Sequence, residues 1–187
     1  MDNSFHNACR RGDLELAKKI WAVNPNIIGR GDFTFDKIFM WVCCYGHKHI
    51  LEWVCQLIPD IDLYTNYEEA FRVVCSRGHL EIAKWIFENK PTLDISSEYE
   101  FVFHGACING HLELAQWLYE IKQQLNLSYE HYDTTYYVAC SNGKVNIVKW
   151  LTQLYPERYE ILEVSQDMYG DYIIDYKIHH QDDYVLK

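Results

Sequence analysis

The chain has 187 residues, of which 49% are apolar, and that supply is enough to build a sizeable hydrophobic core. Its 27 acidic and 17 basic residues leave a net charge of -10, which repels phosphate backbones and argues against nucleic-acid binding. Residues 1–11 lack the apolar run of a signal peptide, and no segment reaches the roughly 20 apolar residues that a membrane helix needs. We therefore expect a soluble, intracellular, cytoplasmic protein that has no membrane partner and keeps its seven cysteines reduced.

A six-residue motif that ends in glycine recurs along the chain. Its five copies are Asn7–Gly12, Trp41–Gly46, Val73–Gly78, Gly105–Gly110 and Val138–Gly143. The glycines are 34, 32, 32 and 33 residues apart. Such a period indicates a tandem repeat, in which one small supersecondary unit is copied and each copy packs on its neighbours.

Each copy carries the apolar face of a short first helix ahead of its glycine. An aromatic residue comes seven positions before the glycine, at Phe5, Phe39, Phe71, Phe103 and Tyr136. A cysteine comes three positions before it, at Cys9, Cys43, Cys75, Cys107 and Cys140. Positions four apart share one side of a helix, and free cysteine packs as a small hydrophobe, so we expect these thiols to be buried and inert.

A second, longer helix follows each glycine. Seven positions after the glycine come Lys19, Trp53, Trp85, Trp117 and Trp150, with aliphatic residues around them at helical spacing. Thirteen positions after it come Pro25, Pro59, Pro91 and Pro156, and only the fourth copy lacks a proline, with Gln123 in that place. Since proline cannot continue a helix, we expect these residues to end the second helices.

Acidic residues stand ten positions before every glycine, at Asp2, Asp36, Glu68, Glu100 and Asp133. An acid at the start of a helix accepts hydrogen bonds from free N–H groups, so we expect these five to cap the first helices. Directly before four of them are Phe35, Tyr67, Tyr99 and Tyr132, which predict hydrophobic staples just outside the helix. Between the helix pairs, short runs such as Ile61-Asp62-Leu63 predict extended fingers.

The segments that follow the glycines resemble a known family. Residues Gly78-His79-Leu80-Glu81-Ile82-Ala83-Lys84 resemble the G-H-L-E-V-V-K opening of the second helix in ankyrin repeats, and residues 110–115 do so as well. The resemblance extends over roughly residues 4–155. It implies an all-α repeat solenoid of five stacked helix-turn-helix units with short extended fingers, and a concave protein-binding surface.

Two departures from the ankyrin pattern are systematic. The T-P-L-H start of the first helix is replaced, as in Phe101-Val102-Phe103-His104, which leaves open whether the hydrogen bonds usual between repeats at that site are kept. A proline stop also replaces the usual A-G-A-D-V-N hairpin entry. Together with the tryptophan of the second helix, these features resemble the divergent ankyrin arrays of large DNA viruses that infect amoebae, which implies a viral protein of the host cytoplasm.

The pattern divides the chain into an array at 1–156 and a tail at 157–187. Within the array, the units are about 1–34, 35–66, 67–98, 99–131 and 132–156. The tail is acidic and rich in tyrosine, and Ile161–Val164 and Tyr172–Ile178 have strand composition on either side of a turn-forming Asp167–Asp171. Because an end repeat needs a cover, we predict that the tail is a C-terminal cap, as a hairpin or a degenerate finger; the alternative is a tail that recruits a second partner.

Residues that vary between units predict the binding surface, because variable positions can adapt to one partner. The candidates lie in the fingers and at the ends of the first helices: Tyr45, Asp62, Tyr64, Arg77, Glu98, Asn109, Tyr129, Glu130 and Asn142. The stretches 60–69, 92–101 and 124–134 contain nine acids and no lysine or arginine. We therefore expect an acidic rim and a protein partner with a basic contact surface; the alternative is that these acids only cap helices and keep the array soluble.

Two groups of residues raise the question of hidden chemistry. The first is Cys43, Cys44, His47, His49 and Cys55, and the second is the pair His179 and His180. Zinc needs four nitrogen or sulfur ligands, but Cys43 belongs to the packing column and His47 to a turn that recurs at His79. The histidine pair lies in a charged tail without a cysteine nearby. We expect no metal site, no cofactor and no catalytic residue, and hence no enzyme.

The sequence thus predicts a monomeric, non-catalytic scaffold that holds a protein partner on its fingers and first helices. One alternative is a substrate adaptor for a ubiquitin ligase that uses the tail as a second binding site, although no adaptor motif is present there. The other alternative, a nucleotide- or RNA-binding module, conflicts with the acidic fingers.

Overall fold

The computed structural model describes residues 4–27, 34–57, 67–89, 93, 95–125 and 132–179. Its helices within these ranges are α1 (Ser4–Arg11), α2 (Leu14–Val23), α3 (Phe35–Tyr45), α4 (Lys48–Leu57), α5 (Tyr67–Arg77), α6 (Leu80–Asn89), α7 (Ile95–Asn109), α8 (Leu112–Leu125), α9 (Tyr132–Ser141) and α10 (Val145–Leu154). A short 3₁₀ turn, Pro25–Ile27, follows α2, and two strands, β1 (Tyr159–Gln166) and β2 (Tyr172–Ile178), follow α10. The helices come in pairs, and a tight turn that contains the repeated glycine joins the two members of each pair.

The turn within each pair depends on a left-handed backbone conformation at its glycine. Gly46 follows α3 with a φ of 79°, and its N–H donates to the carbonyl oxygens of Val42 and Cys43. The N–H of His47 donates to Val42 at 3.1 Å, which completes the last turn of the helix before the chain reverses. Positive φ also occurs at the other four repeat glycines, Gly12, Gly78, Gly110 and Gly143. This conformation costs a residue that has a Cβ atom roughly 1–2 kcal/mol, which explains why glycine recurs at this position.

The predicted apolar face of the first helices is confirmed. The five aromatic residues and the five cysteines of the motif are all buried. The predicted second-helix column needs one correction, at the first pair. There Lys19 is exposed, and Trp21, two positions later, packs with its ring 6.3 Å from that of Phe5. The tryptophan therefore comes from a different helical position in this pair.

The lengths of the second helices agree with the pattern of prolines in the sequence, of which Pro59 and Pro91 themselves lie outside the described residues. The four helices that precede a proline, α2, α4, α6 and α10, each have 10 residues. Helix α8, in the copy without a proline, has 14 residues. A proline lacks the N–H of a helix interior and its ring disfavours the helical conformation of the preceding residue, so its absence allows one further helical turn.

The predicted starts of the first helices are partly wrong. Phe35, Tyr67 and Tyr132 are the first residues of α3, α5 and α9, so these aromatics lie inside the helix and not before it as staples. Helix α7 begins at Ile95, about one turn before Glu100, the acid that was expected to mark its start. Glu100 is therefore the sixth residue of α7, too far along the helix to cap its N-terminus. Asp2 lies outside the described residues.

The chain divides into two compact units, Met1–Ile95 and Ser96–Lys187. In the first unit, aromatic side chains connect successive helix pairs. The ring of Phe5 lies 6.3 Å from that of Trp53, and the ring of Phe39 meets Tyr67 edge-on at 5.2 Å. Each contact joins the first helix of one pair to an aromatic residue of the next, so neighbouring pairs share a core.

Histidines of the repeated turn also connect successive pairs in the first unit. The ring Nε2 of His47 lies 2.9 Å from the carbonyl oxygen of Arg10, and that of His79 lies 3.1 Å from the carbonyl oxygen of Cys44. Since a carbonyl only accepts, each ring N–H donates to a carbonyl at the C-terminal end of the preceding first helix. These bonds satisfy carbonyl groups that the helix itself leaves without partners.

The second unit keeps one hydrogen bond at the T-P-L-H position. His104 Nδ1 lies 3.0 Å from the Thr135 hydroxyl oxygen, and Thr135 is fully buried. The hydrogen bonding that the sequence left open is therefore present between these two pairs. The ring of Phe103 adds contacts with Tyr132 at 5.8 Å and with Trp150 at 6.3 Å.

The C-terminal segment forms an antiparallel hairpin of β1 and β2, at the positions where strand composition predicted strands. The register shifts between Ile161 and Glu163, so Leu162 forms a bulge. The hairpin corrects the predicted class from all-α to mostly α. No helix in the described part of the chain is both long enough and apolar enough to cross a membrane.

Candidate protein-binding surface

The residue just before each repeated glycine is exposed in every helix pair. These residues are Arg11, Tyr45, Arg77, Asn109 and Asn142, and four of them were predicted binding residues. Tyr45 has 45% of its surface exposed, although the cysteine two positions earlier is fully buried. The repeated turn thus presents three kinds of side chain, arginine, tyrosine and asparagine, at one recurring position, and such variation on a repeated backbone is what a specific binding surface needs.

Two of these side chains are held in place by neighbours. The Arg10 guanidinium carbon lies 6.0 Å from the centroid of the Tyr45 ring, close enough for a cation–π contact. Asn109 donates from its side-chain nitrogen to the carbonyl oxygen of Gly105 at 2.8 Å. Both side chains are therefore restrained before a partner arrives, which lowers the entropy lost on binding.

Asn142 lies beside an open polar cleft in the second unit. The cleft has a volume of ≈ 470 Å³ and is lined by residues 141–144 and 170–172, from the α9–α10 turn and the hairpin turn. It combines the Lys144 ammonium with the Asp171 carboxylate. Sequence reasoning placed Asn142 at the end of a first helix, but it did not bring the hairpin turn next to it.

The remaining predicted binding residues cannot be placed on this surface. Asp62, Tyr64, Tyr129 and Glu130 lie outside the described residues. Glu98 belongs to α7, but its side chain is also outside the described part. The acidic rim built from these fingers stays a prediction.

One acid of the predicted rim is engaged within the fold. The Asp133 carboxylate accepts two hydrogen bonds from the Arg158 guanidinium, at 2.7 and 2.8 Å, and a third from the Tyr159 hydroxyl at 2.9 Å. Asp133 is in the first turn of α9, where an acid was predicted. Its charge is balanced by Arg158, which follows α10. Because the Arg158 guanidinium balances its charge, Asp133 contributes less to the predicted acidic rim than the composition of residues 124–134 indicates.

The hairpin gives the last helix pair the aromatic contacts that other pairs receive from their successors. The rings of Tyr136 and Tyr159 stack at 4.1 Å with an angle of 8° between their planes. Tyr176 meets Tyr136 edge-on at 5.6 Å. Phe39 and Phe103 occupy the same repeat position as Tyr136, and aromatics of the following pair cover them. Sequence reasoning identified the strands but not Tyr159, because only the fold brings this residue to Tyr136.

Burial makes the thiols of the repeated motif weak acids. It raises the pKa of Cys9 to about 12 and that of Cys140 to about 12. The pKa values of Cys43, Cys75 and Cys107 are raised further for the same reason. At neutral pH these five thiols carry almost no thiolate, the form that attacks electrophiles and binds metals. Among the described residues, no group of three or more His, Cys, Asp or Glu side chains is placed to hold a metal ion.

We expect iodoacetamide at pH 8 to label only Cys44 and Cys55 in the folded chain, because these two are partly exposed and the five motif cysteines are buried. The pKa of Cys9 lies about three units above that of an exposed thiol, which lowers its thiolate fraction roughly a thousandfold. Mass spectrometry of peptides from native and denatured samples checks the pattern. Rapid labelling of Cys75 in the native sample would show that the motif thiols do not lie in a stable core.

Successive helix pairs, a left-handed glycine in the turn of each pair and recurring aromatic contacts between neighbouring pairs define the class as a tandem helical repeat protein. Proteins of this class use side chains on a repeated scaffold as contact points.

The ankyrin-repeat family model matches residues 71–165 with three copies, just over half of the chain. The chain therefore belongs to the ankyrin-repeat family, whose members generally mediate protein–protein interaction. No curated protein in the comparison matches the sequence. The resemblance to arrays of amoebal viruses stays a prediction.

Proposed function

We propose that the chain is a non-catalytic scaffold that binds a protein partner through its fingers and the ends of its first helices. The five helix pairs would each be one ankyrin repeat. The observation that carries the proposal is the set of exposed residues before the repeated glycines, because they vary between arginine, tyrosine and asparagine while the glycine and the buried cysteine two positions earlier are constant. Family membership supports the same conclusion, since ankyrin repeats generally act as binding modules.

The charges at the two ends of the first helices indicate what the partner must supply. In α5, Glu68 and Glu69 are in the first turn and Arg77 is in the last. Eleven helical residues separate these ends by roughly 15 Å. A partner that covers α5 therefore needs basic groups near the start of the helix and a hydrogen-bond acceptor near Arg77. The acid-rich composition of the fingers also favours basic groups on the partner.

The hairpin is proposed to cap the array. Through Tyr159 it contacts Tyr136 and Asp133, and these contacts cover the last helix pair where a further repeat would otherwise be required. An end repeat without a cover exposes its apolar face to water, so a cap keeps the array soluble. The cap leaves the residues before the glycines exposed for a partner.

The proposal is tested by affinity capture from the native cellular setting, followed by affinity measurement with the purified partner. The first variant, Tyr45→Ala/Arg77→Ala, should weaken binding at least tenfold, because tyrosine and arginine side chains typically contribute most at interfaces. The second, Asp62→Lys/Glu98→Lys/Glu130→Lys, should abolish binding of a partner with a basic surface. Binding by the intact chain should weaken as salt is added.

The matched control is Gln56→Ala/Glu88→Ala, two exposed residues of the second helices α4 and α6. This pair should leave affinity unchanged, and circular dichroism should be the same for all variants. A partner bound equally well by all of them would place the binding site elsewhere. Detectable affinity for RNA at low salt would instead favour the nucleic-acid alternative.

A further inference from the structure

The hairpin concentrates exposed apolar residues. Of the eleven large hydrophobic residues that are exposed in the described part of the chain, six lie within it: Leu162, Val164, Met168, Tyr169, Tyr172 and Ile173. Leu162 and Ile173 remain 58% and 54% exposed although both lie in strands. Side chains of this kind on a small sheet usually mark a surface that another molecule covers.

The register separates the two faces of the hairpin. Tyr159, Ile174 and Tyr176 share the face that packs on the last helix pair, and Tyr159 and Ile174 are buried. The opposite, outer face carries three cross-strand pairs: Glu160 with Lys177, Glu163 with Asp175, and Ser165 with Ile173. The bulged Leu162 lies between the first and second of these pairs.

Charge on the outer face is balanced at one end only. Glu160 lies opposite Lys177 and 3.2 Å from the ring nitrogen of His179. Glu163 and Asp175 lie directly opposite each other, both are exposed, and neither is paired with a cation among the residues that the structure describes. Like charges directly across a strand pair destabilise a sheet, so a cation placed over this pair would be favourable.

The same charges argue against a second copy of the chain as the occupant. Within 159–178 there are five acids, at positions 160, 163, 167, 171 and 175, and one base, Lys177. Two such hairpins placed face to face would bring the two acid pairs together, which costs free energy in a water-excluding contact. A basic occupant removes that repulsion and still covers Leu162 and Ile173.

We propose that the outer face of the hairpin binds an extended segment of a partner protein in which a lysine or arginine and an apolar residue are two positions apart. The Glu163–Asp175 and Ser165–Ile173 pairs are two residues apart along each strand, a distance of roughly 6.8 Å. Side chains two positions apart in an extended peptide have the same separation and point to the same side. The basic group then lies over the two carboxylates while the apolar group contacts Ile173. The residues of this site are different from those before the repeated glycines.

Peptide display on the immobilised full chain tests the proposal, with a library of random twelve-residue peptides as the probe. Selected peptides should be enriched in a lysine or arginine two positions from an apolar residue, in one direction or the other along the peptide. Synthetic copies should bind at least tenfold more weakly to Glu163→Gln/Asp175→Asn and to Ile173→Thr, as measured by fluorescence anisotropy. Their affinity for the intact chain should fall as salt is raised.

The control variant is Glu15→Gln/Glu113→Gln, which also removes two negative charges, but from exposed positions of α2 and α8. It should bind the peptides as the intact chain does. The variant Tyr45→Ala/Arg77→Ala should also bind them normally, so failure here is distinguishable from failure of the proposed scaffold surface. Peptides without basic residues, or equal binding to the Glu163→Gln/Asp175→Asn variant, would overturn the proposal. So would a dimer in sedimentation that Ile173→Thr dissociates, because the face would then be a contact between copies.

Discussion

Substitution of Tyr159 by alanine should release the hairpin from the last helix pair. The Tyr159 side chain is 1% exposed, stacks on Tyr136 and donates a hydrogen bond to Asp133. Removal of a buried aromatic side chain typically destabilises a fold by about 3–5 kcal/mol. A loss of about 3 kcal/mol raises the fraction of detached hairpin roughly a hundredfold. Amide hydrogen exchange of β1 and β2 measures that change directly, and limited proteolysis should cleave between α10 and β1.

The control for this prediction is Tyr169→Ala, the same substitution in the same hairpin. Tyr169 is 83% exposed in the turn, so its loss should change the free energy of unfolding by less than about 0.5 kcal/mol. Slow exchange in the Tyr159→Ala hairpin would contradict the prediction, because it would mean that the strands are held by something other than this aromatic contact. Arg158→Ala should have an intermediate effect, because Arg158 and Asp133 are both partly exposed and water screens their ion pair.

Gly46→Ala should destabilise the first unit by about 2–3 kcal/mol, as measured by urea unfolding. An alanine at a φ of 79° costs roughly 1–2 kcal/mol for its backbone conformation. Its Cβ would also lie 2.6 Å from Cε1 and Nδ1 of the His79 ring, so the ring has to move. That movement breaks the hydrogen bond to the Cys44 carbonyl, which contributes about 0.5–1.5 kcal/mol.

Gly170→Ala separates the two contributions. Gly170 has a φ of 86°, and a Cβ added there meets nothing within 4 Å, so only the backbone cost of about 1–2 kcal/mol should appear. In the double variant Gly46→Ala/His79→Ala the clash is absent, and its cost should be smaller than the sum of the two single variants. Equal destabilisation by Gly46→Ala and Gly170→Ala would show that the histidine contact between pairs is not a restraint.

The part of the fold that sequence predicted well depends on short-range rules. The period of the glycines located the turn within each helix pair, and the spacing of Phe39 and Cys43 located a buried helical face. The absence of a proline at position 123 accounts for the greater length of α8. Each of these follows from residues a few positions apart along one helix, where backbone geometry decides which side chains share a face. The helix starts were less well predicted, since Tyr67 and Glu100 satisfy the same local pattern inside a helix as before one.

The candidate surface was predicted in outline only. The exposure of Tyr45, Arg77, Asn109 and Asn142 follows from their position before the repeated glycine, and the structure agrees with it. The cleft beside Asn142 and the ion pair of Asp133 with Arg158 could not be predicted, because both depend on where a hairpin more than 15 residues away packs.

The sequence by itself determined the repeat, its register, the buried column of aromatics and cysteines, and the resemblance to the ankyrin family, because all of these recur at fixed spacing. Only the tertiary structure decided which partner each repeated residue has. His47 and His79 share one motif position, and the ring of each hydrogen-bonds to a carbonyl of the preceding first helix. Lys144 occupies the same motif position, but there an alkyl side chain and not an imidazole ring packs on Gly110. Tyr136 is covered by Tyr159 of a hairpin, whereas Phe39 is covered by a further helix pair. The reason is physical: contacts within a helix are set by local geometry, and contacts between elements depend on which surface the rest of the chain leaves to be buried.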